Sequence, residues 1–238
     1  MPELSDTLIW AFSRRQHQNM SLSYGDTSLS LDNRKNFLQA QGIDYRDLVC
    51  AKQAHGSNIR YALERDKGCG AESYASAVAD TDAFITDRKN LPLAIFTADC
   101  LSIFLFDPQT PAIGLVHAGW RGTREFIFAK TLQQMRRQFG TQSQNVEVSF
   151  GPLIRGCCYE VGGEFENIFS QGLSKQEERY FLDLAGINRA QAVDMGVETA
   201  NIRDAGICTA CRNEEFFSFR REAGSSGRMI SVMMLRGT

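Results

Sequence analysis

Histidine is the scarcest reactive residue in this chain: 238 residues hold three, His17, His55 and His117. That count excludes a three-copper cluster joined to an electron-transfer copper, which draws its ligands mostly from imidazoles. Long apolar runs are also missing. LSIFLF falls far short of the roughly 18 residues of a membrane span, so no membrane role is expected. The net charge is −2, with no basic excess, which argues against nucleic-acid binding. Neither a Walker loop nor a G-x-G-x-x-G fingerprint occurs. The start, MPELSDTLIWAF, has no basic region followed by a long apolar run, so no signal peptide is expected. Seven cysteines, an odd number in no small-scaffold spacing, then predict reduced thiols and a cytoplasmic protein.

What is present is an ordinary globular balance, 43% hydrophobic and 23% charged, in a chain long enough to bury a real core. No repeat and no low-complexity linker divides it, so one domain over 1–238 is expected. LIWAFSRR (8–15) predicts a strand and SYGDTSLSLD a loop. Asp32 is placed to cap a helix over NRKNFLQAQ that stops at Gly42. DLVCAKQ (47–53) predicts a strand ending at His55-Gly56, and the stretch from Asp66 to Asp80 a long loop. DAFIT, LPLAIFT and LSIFLF predict three close strands; AIGLVHA predicts a fourth after the turn DPQTP. In TREFIFAKTLQQMRRQF, Phe128, Leu132, Met135 and Phe139 make one apolar helical stripe, closed by Gly140. VEVSF (146–150), RYFLDL, FFSFRR and RMISVMML predict strands; YEVGGEFENIFSQ and NRAQAVDMG predict helices. Strands and helices mix without strict alternation, which favours an α+β fold with mixed sheets over a doubly wound parallel one.

His55 and His117 both sit at predicted strand ends before glycines, where rigid scaffolds present reactive side chains. Cys100 opens an apolar strand beside Asp99. Two imidazoles and a thiolate suit zinc, and three protein ligands leave a fourth position open. The spacing is irregular and matches no short zinc pattern. From spacing alone, a buried structural cysteine and two capped histidines is the better reading.

The other cysteines say less. Cys208-Thr-Ala-Cys211 has C-x-x-C spacing, but no second such pair completes a four-thiolate site, and its place near the C-terminus favours a structural role. The neighbours Cys157 and Cys158 read as reduced, and Cys50 and Cys69 carry no signal. Arg121, Arg155, Arg220, Arg221 and Arg228 follow glycines or end strands. Arg121 and Arg228 stand out as candidate anion contacts because small residues surround them.

The segments QAHGSN, DTDAFIT, TADCLSIFLFD, GLVHAGWRGT, GPLIRGCCYEVG, CTACRNEEFFSFRR and SGRMISVMML, taken together and in this order, resemble the YfiH-like, or laccase-domain, family. That family is described as multifunctional purine nucleoside phosphorylases, formerly as polyphenol oxidases. The likeness runs from about Phe12 to Leu235, and its TADC and HAGWRGT motifs are specific. It departs at 12-FSRRQHQ-18, where the family has F-S-T-R and a Gly pair, so Arg15 carries no role by analogy and His17 is not assigned as a ligand. The resemblance implies an α+β fold of mixed β-sheets in a sandwich-like core flanked by helices, similar to some cysteine-dependent toxin deamidases. It also implies a metal site made of His55, Cys100 and His117.

The activity implied is phosphorolysis of adenosine, inosine, guanosine or methylthioadenosine, together with adenosine deamination. A zinc ion is the implied cofactor, since it brings the pKa of its water to about 7; copper is the alternative, as a single-copper polyphenol oxidase. Asp99 is a candidate to orient a ligand or move a proton, and Arg121 and Arg228 are candidates to bind phosphate. A rival reading makes Cys100 a thiolate nucleophile with a histidine base, a cysteine hydrolase or amidase. A third makes the chain a partner-binding module with a structural metal.

Overall fold

The computed structural model describes residues 7–237. The part of the leader reading that rests on residues 1–6 lies outside the described residues. The chain opens with β1 (Leu8–Phe12), α1 (Thr27–Gln39), β2 (Val49–Cys50) and β3 (Ile59–Tyr61). Four strands follow closely, β4 (Ala83–Thr86), β5 (Leu93–Thr97), β6 (Leu101–Asp107) and β7 (Ala112–Ala118), then helices α2 (Trp120–Arg124) and α3 (Ile127–Phe139). The last part holds β8 (Glu147–Phe150), β9 (Glu160–Val161), β10 (Leu173–Gln176), β11 (Arg179–Leu182), α4 (Leu184–Asp194), β12 (Ile202–Asp204) and β13 (Met229–Leu235).

Two mixed sheets carry the core: six strands ordered β12-β8-β6-β7-β4-β3, and four ordered β1-β13-β5-β2. Alternation along the strands assigns their faces. On β7, Ile113 and Leu115 join Phe84, Phe104, Leu93, Ile95 and Met233 between the two sheets. Ala112, Val116 and Ala118 face the other way, onto Phe128, Leu132 and Met135 of α3 and Ile187 of α4. On β13, Ile230, Val232 and Met234 turn outward onto Phe37 and Leu38 of α1. The result is a sheet-on-sheet sandwich with a helix layer on each outer face, as the resemblance implied. Strands buried on both faces explain the unbroken apolar runs. At Gly114 a Cβ would lie 3.1 Å from Met135 Sδ, so glycine lets α3 approach the sheet closely. A small third sheet, β10-β11-β9, sits apart in the topology.

Several expectations are corrected. The α1 helix starts earlier, inside the expected loop, because Asp26 and not Asp32 accepts the Leu29 N–H at 3.1 Å. The strand expected over 8–15 stops at Phe12, and that over 47–53 covers only Val49–Cys50. The helix after HAG is broken at Phe126, whose φ of 59° is left-handed. FFSFRR forms no strand. Several of its backbone N–H groups go to side chains instead: Phe217 to Met229 Sδ, Ser218 to Glu222, Arg220 to Asp99. The helix expected in YEVGGEFENIFSQ is a short 3-10 turn over Gly163–Asn167. Among the described residues, no helix is long and apolar enough to cross a membrane.

Candidate metal centre and active-site cavity

The layer between the two sheets ends in polar residues. Ser231 of β13 donates across it to Ser102 of β6 at 2.8 Å. Ser102 pairs in register with His117 on β7, and Cys100 stands just before β6. His55 comes from the loop after β2 and completes the group. The donor atoms of His55, Cys100 and His117 all lie within 4.8 Å of one another. The two imidazoles meet edge to face, centroids 4.8 Å apart. His117 is buried, Cys100 half-buried and His55 exposed, so the cluster opens at the sheet end toward solvent.

Asp82, at the entry to β4, holds both histidines. Its carboxylate accepts the backbone N–H groups of Ala54, His55 and Gly56 at 3.2, 3.0 and 2.8 Å. It also lies 2.8 Å from His117 Nδ1, which fixes a proton there and leaves Nε2 free for a ligand role. The same contacts hold His55 at a left-handed φ of 60°, a costly conformation that needs such support. Sequence reasoning passed over Asp82. The available signal was a carboxylate at the mouth of the mostly apolar strand AFIT, since a buried carboxylate must find partners.

The HAGWRG turn supplies room. A Cβ on Gly119 would stand 3.2 Å from Cys100 Sγ and 3.5 Å from His55 Cδ2, in the space between the donors. One on Gly122 would lie 2.7 Å from the Gly56 carbonyl oxygen, so this glycine lets α2 press on the His55 loop.

Burial pushes the Cys100 thiol up, but the charge of His117 and hydrogen bonds from His117 and His55 outweigh it and bring it down to about 6. Burial also opposes charge on His117; the Cys100 thiolate and the Asp82 carboxylate overcome that and raise it to about 9. Asp82 is desolvated too, yet His117 and the Gly56 and Ala54 N–H groups hold it below the usual carboxylate range. The thiol of Cys100 and the imidazole of His117 thus stabilise each other's charged forms, and a metal bound there would take the place of the imidazole proton.

The cluster forms one end of a cavity of about 470 Å³. Phe96, Tyr74 and Phe219 supply aromatic wall, and Arg228 and Arg220 supply cations. Thr97 lines it with a buried hydroxyl that has no partner among the described residues. Tyr159 lines it as well, its phenol pushed up by burial first and by the nearby Cys100.

The other sequence candidates separate. Asp99 lines the cavity, with a left-handed φ of 87°. Its two carboxylate oxygens accept from Thr209 Oγ1 at 2.6 Å and from the Arg220 N–H at 2.7 Å, so it ties three segments together. Arg228 lines the cavity between Tyr24 and Phe219, its guanidinium donating to the Ser226 and Gly227 carbonyls. Arg121 is exposed on α2, stacked over Trp120, and does not line the cavity. His17 is occupied elsewhere, accepting the Arg14 N–H at 2.9 Å and lying edge-on to Phe37.

A sequence model of the family described as "Multi-copper polyphenol oxidoreductase laccase" matches residues 11–236. The chain belongs to this family. Purine nucleoside phosphorylase YlmD of Geobacillus stearothermophilus is 32% identical over 90% of this chain and 82% of its own length. Adenosine deaminase RL5, from an unknown prokaryotic organism, is 32% identical over 87% of this chain and 82% of its own. The crystal structure of YlmD from Geobacillus stearothermophilus matches with a TM-score of 0.93 at 28% identity, covering 98% of this chain and 93% of that one. As a member of the laccase family, this chain does not fit the multicopper part of the description. Two imidazoles and one thiolate suit a single ion, and the third histidine is engaged outside the cluster.

Proposed function

We propose that this chain is a zinc-dependent purine nucleoside enzyme. It cleaves adenosine, inosine, guanosine or methylthioadenosine with phosphate and deaminates adenosine, in a reducing cytoplasm that suits its seven free thiols. The observation that carries the reading is the convergence of three metal donors, open on one side, at the end of a cavity sized for a small ligand. The names of the related proteins point to the substrate class.

His55, Cys100 and His117 would hold the zinc; the gap kept clear by Gly119 fits an ion among these donors. When bound, zinc supplies Lewis acidity and favours the ionisation of water at its open position. Asp82 holds the proton on His117 Nδ1 and so fixes which nitrogen faces the centre. Asp99 acts as a positioning residue by anchoring the Thr209 and Arg220 segments at the cavity wall. The aromatic side chains of Phe96, Tyr74 and Phe219 suit a purine face. The unpartnered Thr97 hydroxyl suits a ribose hydroxyl, and Arg228 is the favoured phosphate contact, with exposed Arg121 second.

Incubation of zinc-loaded protein with adenosine tests this directly. Inosine formed without phosphate reports deamination; adenine and ribose 1-phosphate, formed only with phosphate, report phosphorolysis. No turnover of any purine nucleoside would sink the reading. A cysteine hydrolase is favoured by one observation, the depressed Cys100 thiol beside His117. That reading requires metal-free protein to hydrolyse an amide at full rate.

A further inference from the structure

The chain carries a second group of metal donors remote in sequence from the first and outside the cavity lining. Cys157 and Cys158 lie in the turn between β8 and β9. Cys208 and Cys211 lie in the turns after β12. The four sulfurs lie within 4.8 Å of one another. Cys211 Sγ stands 3.7 Å from Cys157 Sγ and 3.3 Å from Cys158 Sγ, and all four cysteines are free. Zinc–sulfur bonds of about 2.3 Å in a tetrahedron put neighbouring sulfurs about 3.8 Å apart, so the spacing is already near that of a filled site. We propose that Cys157, Cys158, Cys208 and Cys211 form a four-thiolate site for a structural zinc ion.

The adjacent pair supplies what a second C-x-x-C would have supplied. The two turns are brought together without any metal. Leu153 bridges to Cys208, Thr209 N–H donates to the Leu153 carbonyl at 2.9 Å, and Arg155 pairs with Asp204. Four protein ligands leave no open position, so this site is closed, and its ion contributes stability and not catalysis. Its place gives it a purpose. One turn leads to Tyr159, and the other holds Thr209, which anchors Asp99. A zinc there would lock two walls of the cavity to each other. Binding releases the thiol protons, so it strengthens as pH rises.

The test is metal content with site-resolved labelling. In wild-type protein purified under reductant and loaded with zinc, all four of these cysteines should resist alkylation by N-ethylmaleimide. After chelation they should label, as read by peptide mass spectrometry. Cys100→Ala should keep one equivalent of metal, and its cobalt(II) form should keep a strong thiolate-to-cobalt charge-transfer band. Cys208→Ser/Cys211→Ser should lose one equivalent and most of that band's intensity, keeping only the weaker absorption of the single Cys100 thiolate. Equal labelling of the four cysteines with and without zinc would overturn the proposal in wild-type protein, whether or not either variant folds. A metal-free Cys100→Ala chain that is folded would also overturn it, as would a disulfide among the four in reductant.

Discussion

The two donor clusters differ first in what carries them. His117 and Cys100 stand at the ends of buried, register-fixed strands, and His55 is clamped by Asp82; the four-cysteine group rides on turns, with Cys157 and Cys211 exposed. They differ also in number and type. Three mixed donors would leave room for a ligand at the end of a cavity, whereas four sulfurs would close on one ion outside it. On the proposed readings, the contrast separates a centre that acts from one that only holds.

Replacing Cys100 with Ala gives the largest expected effect. Nucleoside turnover falls to background while the circular-dichroism spectrum stays native, because Cys100 lies at the open end of the sandwich. Unfolding would instead favour a structural metal in a binding module. Asp82→Asn removes the charge that orients His117 and should lower zinc affinity or turnover about 10–100-fold, measured by zinc titration.

These two sites were not equally legible in the sequence. His55, Cys100 and His117 were singled out because each stands beside a predicted strand end, but spacing alone favoured a structural cysteine and two capped histidines, and the resemblance supplied the metal reading. The strands β4 to β7 and the Phe128–Leu132–Met135 stripe were legible from their local apolar patterns. Asp82 was missed because its partners, residues 54–56 and 117, are remote in sequence, and the local pattern shows only a carboxylate at a strand entry. The four-cysteine group was missed because two motifs with different spacings meet only through the β8–β12 neighbourhood. FFSFRR read as a strand because its composition suits one, but nearby groups and the remote Asp99 take its N–H groups.

Smaller effects refine the comparison. Arg228→Gln should raise the KM for phosphate by about tenfold or more, the value of a charged hydrogen bond, and leave phosphate-independent deamination nearly unchanged. Arg121→Gln, outside the cavity lining, should change the phosphate KM less. A reversed order would move the phosphate site toward α2. In metal-free protein the pH profile of alkylation should also separate the clusters. Cys100 should reach half its maximal rate near pH 6, because His117 and His55 outweigh burial. Cys157, pushed up to about 11 by burial and by its sulfur neighbours, should still be rising at the alkaline limit. Coincident profiles would erase the electrostatic difference.

The central claim is that the open His55–Cys100–His117 centre is where chemistry occurs. Its most direct test is a zinc titration of chelator-stripped protein, with adenosine turnover and Cys100 protection from alkylation followed together. Turnover should be absent at the start and should rise in step with Cys100 protection. Stripped protein that turns adenosine over as fast as the reloaded enzyme would contradict the account.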